Sequence, residues 1–329
     1  MKYWISGTGG ENGGCPLPSI CLYDTEAARP SLWESTLSGP TWLDLWEDKL
    51  LAVGEQEDSG CVYLFRREGD CCTLLDTRPI DGTSFCHLTV FPRHRMVAGA
   101  CYGTGHVFTL EITETGFGGM KSWIRQSDEP LTRAHCIICD SAETTAYTAN
   151  IALDRLYSYD IAEDGALTNE RYLQLPKGEG IRHLLLREDT GMLYATTEYS
   201  NRILIIDVSG SEPVFLGGVD ALEPDFAMPS YLSGLCMNSA GTLLYAANRG
   251  ADTFSVFRVE GKELQKVAER PCFGKFPRSL ALVENETAIA AANQNSNSVI
   301  FVGLDQDGIP TEPIRVIPFL KPMFIRQTD

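Results

Sequence analysis

Residues 178–208 read GEGIRHLLLREDTGMLYATTEYSNRILIIDV. Two apolar runs, LLL and MLYATT, flank a polar turn, REDTG, and a third run, RILIIDV, follows a short loop. β-Branched and aromatic residues bounded by turn formers read as strands. The same anatomy recurs along the chain. Second runs of this kind are YWISGT, LLAVGE, MVAGAC, TAYTAN, MLYATTE, LLYAAN and AIAAAN, ending at Thr8, Glu55, Cys101, Asn150, Glu198, Asn248 and Asn293. Their separations are 47, 46, 49, 48, 50 and 45 residues. Third runs follow each: SICLYD, CVYLFR, HVFTLEI, RLYSYDI, RILIIDV, TFSVFRV and SVIFVGL. Turn residues such as SAETT, EDTG, NSAG and DQDG separate them.

A repeat of about 45 residues with three or four strands per unit predicts a β-propeller. The expected fold is all-β: a single domain over residues 1–329, with seven blades, mostly of four antiparallel strands. The apolar MFI near the C-terminus is expected to pair with the N-terminal blade and close the ring, which removes exposed sheet edges. Two β-sandwich domains fit less well, because the period never breaks and no Gly/Ser/Pro linker interrupts it.

Composition narrows the function. Of 329 residues, 43% are apolar and 22% charged, which permits a large core. The net charge is −17 and no basic run appears, so no nucleic acid or anionic membrane is expected as partner. There is no long apolar run and the start shows no export signal. The expected location is cytoplasmic, with the 11 cysteines reduced and mostly packed as small apolar residues. CIIC (Cys136 to Cys139) lacks a second pair and reads as strand rather than zinc site. No metal and no cofactor are expected.

In an antiparallel blade, the start of the first strand and the end of the second share one edge. In a propeller that edge rims the central channel. Polar residues keep landing there: His87 lies 15 residues before Tyr102, His135 15 before Asn150, Arg182 16 before Glu198, and Arg278 15 before Asn293. The predicted rim comprises Glu55, His87, Tyr102, His135, Arg182, His183, Glu198, Asn248, Arg249 and Arg278. Three of five histidines and three arginines thus gather at one edge of an acidic protein, as an anionic ligand would need. His94 and His106 receive no role.

At these residues the chain resembles the seven-bladed lactonase family, which includes propeller-type 6-phosphogluconolactonases and carboxymuconate lactonizing enzymes. The resemblance covers essentially the whole chain. It is carried by GIRHLLLREDTGMLYATTE, LLYAANRGADTFSVF, GKFPRSLAL with AAANQNSNSV, the histidine-bearing RAHCIICDSAETTAYTAN, and CYGTGHV. Ile181, Thr197 and Cys101 stand where the family commonly has proline, asparagine and asparagine. The resemblance implies hydrolysis of a sugar-acid lactone, first 6-phosphogluconolactone, by a monomer or weak homodimer that takes a small anionic substrate. A carboxymuconate-type lactonizing activity and a non-catalytic scaffold are the alternatives. His135, Arg182 and Glu198 are the expected catalytic residues. His135 or Glu198 would serve as base, and Arg182 as oxyanion donor. His87, Tyr102, His183, Asn248, Arg249 and Arg278 are the expected substrate contacts, with Arg249 and Arg278 suited to phosphate.

Overall fold

A computed structural model describes residues 1–12, 15–27, 31–54 and 60–328. Glu55 lies outside them. The described strands form seven four-stranded antiparallel sheets and one small hairpin, Gly10–Asn12 with Cys15–Leu17. The one helical element among the described residues is a single turn, Gln294–Ser296. The strands fall into two compact units, Leu37–Lys177 and Met1–Thr36 with Gly178–Asp329.

The first of these units holds three blades. Blade 2 runs through Pro40–Trp46, Lys49–Gly54, Gly60–Glu68 and Cys71–Ile80. Blade 3 is Phe85–Phe91, Met96–Cys101, His106–Ile112 and Phe117–Arg125. Blade 4 is Ala134–Cys139, Thr145–Asn150, Arg155–Ile161 and Leu167–Gln174. The other unit holds four. Blade 5 is Ile181–Arg187, Met192–Thr197, Arg202–Asp207 and Val214–Asp220. Blade 6 is Tyr231–Met237, Leu243–Arg249, Thr253–Glu260 and Glu263–Pro271. Blade 7 is Pro277–Val283, Ala288–Asn293, Ser298–Leu304 and Pro310–Pro318. Blade 1 takes its first strand, Pro322–Gln327, from the C-terminus and its next from the N-terminus, Lys2–Gly7, with Ile325 opposite Ile5. The expected pairing of the chain ends is present.

The core lies between blades. Along the second strand of blade 6, Leu244 and Ala246 pack on blade 5, while Tyr245 and Ala247 pack on blade 7. This is the two-residue alternation of a strand covered on both faces. It explains why AIAAAN in blade 7 is buried at every position. Small side chains there let neighbouring sheets approach.

Polar side chains fasten blades to one another at the turns between first and second strands. Asp44 of blade 2 accepts the Val90 amide of blade 3 at 2.9 Å. Glu286 of blade 7 accepts the Ser239 amide of blade 6 at 2.6 Å. Glu143 of blade 4, only 4% exposed, accepts the Arg93 amide at 2.8 Å and the His94 amide at 3.1 Å, and meets the His94 ring at 2.9 Å. Glu143→Ala strands two amides and is expected to lower unfolding free energy by about 2–3 kcal/mol in urea titration. Glu143→Gln, which keeps one acceptor oxygen, is expected to recover part of that loss.

Candidate active site

One irregularity recurs in every blade. Near its start, each first strand slips register against the second and bulges. The bulged residues are Thr41, Cys86, His135, Arg182 with His183, Ser233 with Gly234, and Arg278, with Met323 in blade 1. A bulge places an extra residue outside the ladder and re-aims its side chain. Where that residue is small, it fastens the fold. Thr41 Oγ1 donates to Phe85 O of the next blade at 2.9 Å. Cys86 Sγ reaches His135 O at 3.2 Å, and Ser233 Oγ donates to Pro277 O. In blades 4, 5 and 7 the same position carries His135, Arg182 and Arg278.

A second register is set by the second-strand residue that pairs with the first strand immediately before the bulge. Cys101, Asn150, Thr197, Asn248 and Asn293 are those residues. Tyr102, Glu198 and Arg249 therefore occupy equivalent positions one step further on. Run ends align Glu198 with Asn248, which is one residue out, because the run MLYATTE extends one residue past the paired Thr197 while LLYAAN stops at the equivalent Asn248. One step along a strand reverses the face a side chain presents.

That step sorts the expected residues. Asn248 is fully buried, and its amide donates to Thr253 Oγ1 at 2.7 Å and Ser255 Oγ at 2.9 Å in its own blade. Thr197 does the same loop-fastening in blade 5, exchanging bonds with the Arg202 amide and carbonyl at 2.8 and 2.9 Å. His87 lies one residue past the bulge, opposite Ala100 rather than Tyr102. Its ring centre is 4.4 Å from that of Trp42, and its Nδ1 accepts the Ile137 amide at 3.5 Å. His183 is 6% exposed, and its amide donates to Thr196 Oγ1.

The remaining residues form two clusters, one in each unit. In blades 5 and 6, Glu198 Oε2 accepts Arg182 Nε at 3.1 Å and Arg249 Nη2 at 2.9 Å. The two arginine side chains are 2% and 7% exposed, and the carboxylate 18%. Burial alone would raise the Glu198 pKa, but the charges of Arg182, Arg249 and Arg278 outweigh it, and the net shift is downward. Glu198 is therefore held ionised. Arg249 also donates to Tyr231 O at 3.4 Å and Leu232 O at 3.2 Å, which fixes its guanidinium. In blades 3 and 4, the buried His135 ring meets Tyr102 edge-on, with centres 6.0 Å apart. Arg133, absent from the expected rim, lies over the Tyr102 ring, 4.9 Å from its centre. No strand pattern points to it, since it precedes the strand Ala134–Cys139 and His135 is the bulged residue there.

The family model "Lactonase, 7-bladed beta-propeller" matches residues 21–324. A 6-phosphogluconolactonase of Bacillus subtilis is 25% identical over 310 residues, 88% of each chain. A periplasmic gluconolactonase of Pseudomonas aeruginosa superposes with a TM-score of 0.90 at 19% identity, covering 99% of this chain and 98% of that one. A putative 6-phosphogluconolactonase of Bacteroides fragilis gives 0.87 at 18% identity, covering 100% and 98%.

Removing Glu198 leaves two buried guanidiniums facing each other. Glu198→Ala is expected to cost about 3 kcal/mol of stability, read by urea unfolding. Because the folded pKa of Glu198 lies below the ordinary 4.5, its stabilisation is complete above that value and is lost as pH falls through the folded one. A plot of stability against pH should therefore drop less steeply in acid for Glu198→Gln than for the wild type.

Proposed function

The chain belongs to the seven-bladed β-propeller lactonase family, and we propose that its rim residues hydrolyse a sugar-acid lactone carrying an anionic group, with 6-phosphogluconolactone the first candidate. The observation that carries this reading is the buried Arg182–Glu198–Arg249 arrangement with the charge of Arg278 acting on it. Three cations around one carboxylate leave a net positive locus in a chain of net charge −17. Such a locus attracts an anion and stabilises negative charge that develops nearby.

Lactone opening requires water to attack the carbonyl carbon. The ring C–O bond then breaks, and the departing oxygen takes a proton. His135 is the proposed base, because a neutral imidazole can take up the proton of the attacking water and return it to the departing oxygen. Its assignment rests on register: it holds in blade 4 the bulge position that Arg182 and Arg278 hold in theirs. Arg182 is the proposed donor to the oxyanion. Glu198, clamped by two guanidiniums, suits positioning better than proton abstraction, since its proton affinity is lowered. Arg249 holds Glu198 in place, which leaves Arg278 as the proposed phosphate contact, with Tyr102 beside His135. The same reading puts the enzyme in the cytoplasm with a small lactone as its partner.

Acid release from 6-phosphogluconolactone, corrected for spontaneous opening, tests the assignment. His135→Ala is expected to lower kcat by ~10²- to 10⁴-fold, and Arg182→Ala by ~10²- to 10³-fold. Arg278→Ala is expected to raise KM for the phosphorylated lactone more than for gluconolactone. Equal rates in the wild type, His135→Ala and Arg182→Ala would remove this substrate from consideration.

A further inference from the structure

Beside the Arg249 guanidinium stand two aromatic rings that a phosphorylated sugar does not call for. The Arg249 guanidinium carbon lies 5.3 Å from the Phe276 ring centre and 5.8 Å from that of Tyr231. The loop carrying Phe276 is held in an uncommon conformation. Phe273 and Phe276 have φ of 60° and 61°, a left-handed region that bulky residues rarely adopt and that tends to persist at working sites. The Phe276 amide donates to Asp252 Oδ1 at 2.7 Å, which anchors it. Phe273 on the same loop is 40% exposed, Met228 on the loop entering blade 6 is 70% exposed, and Tyr231, which opens the first strand of that blade, is 39% exposed. Tyr199, the residue after Glu198, is 44% exposed, with its ring over Gly180, where a Cβ would come within 2.6 Å of it.

Single exposed apolar residues are ordinary, but large ones grouped beside a polar site mark a surface that receives an apolar group. Phe276 and Tyr231 lie against Arg249, Phe273 and Met228 each stand three residues before one of these two, and Tyr199 directly follows Glu198. Two of them frame a guanidinium that already bonds the site carboxylate. The other cation of the group, Arg278, follows Phe276 by two residues.

We propose that these loops form an apolar subsite, and that the protein also hydrolyses lactones bearing a hydrocarbon substituent on the ring. This rests on the lactonase reading given above. The reaction is the same: water adds to the carbonyl carbon, the ring C–O bond breaks, and a hydroxy acid with its alkyl chain leaves. The substituent is what the apolar loops would hold.

The test is a homologous series, δ-valerolactone, δ-hexalactone, δ-octalactone and δ-decalactone, with 6-phosphogluconolactone as reference. Wild type, Phe273→Ser and Met228→Ser are compared, each rate corrected for spontaneous hydrolysis. In the wild type kcat/KM is expected to climb with chain length, at most about fourfold for each fully buried methylene. Both serine variants are expected to flatten that climb. A flat series in the wild type, or a climb unchanged in both variants, overturns the apolar subsite. If 6-phosphogluconolactone is hydrolysed while the alkyl series is flat, the lactonase reading stands and this inference alone falls. If no lactone is hydrolysed, both fall.

Discussion

The bulge near the start of each first strand is the constraint from which the candidate site follows. A regular antiparallel ladder would point alternate side chains into the layers between blades, where only apolar groups fit without cost. Adding one residue breaks the alternation at a single place. The side chain there leaves the ladder while the strand continues below it undisturbed. In blades 2, 3 and 6 the fold uses that freedom itself, with Thr41, Cys86 and Ser233 bonding carbonyls of the following blade. In blades 4, 5 and 7 the position carries His135, Arg182 and Arg278 instead. Similar backbone thus serves cohesion in some blades and carries an ionisable side chain in others, and only the side chain differs.

Charge at the site is coupled to the fold rather than placed on it. Glu198 is buried enough that its ionisation would be unfavourable alone, and the arginines are buried enough that each needs a counter-charge. Together they satisfy one another with one oxygen, Oε2, bridging both guanidiniums. Because Arg182 comes from blade 5 and Arg249 from blade 6, the bridge also ties two sheets together. Such a site is rigid before substrate arrives, which favours stabilisation of charge as it develops.

Much of this was legible in the chain. The near-constant period, the alternating runs and the turn residues specified seven units and strand type, because a sheet covered on both faces admits few other patterns. The Arg182–Glu198 meeting was readable too, since hairpin geometry fixes which residues face each other. The end of a strand is not marked in its sequence: in blade 5 the run continues one residue past the paired Thr197, so Glu198 looks equivalent to Asn248 while standing one residue out. Of the residues expected at the rim, Asn248 bonds within its own blade and His87 meets Trp42 and Ile137 of the flanking blades. Arg133, Tyr231 and Phe276 are not legible as site neighbours, because their contacts with Tyr102 and Arg249 join residues 18 to 31 positions apart along the chain.

Sequence by itself determined the repeat, the strand content, the closing of a blade by both chain ends, and the kinds of ionisable residue carried on its rim. Those are consequences of local pattern, where periodicity and turn chemistry act over a few residues. Tertiary structure decided which residues at the rim serve the fold and which remain for chemistry. It also decided that Glu198 is shared between two arginines and that aromatic rings frame Arg249. These depend on register and on side chains from different blades meeting in space, and no pattern within one repeat encodes them.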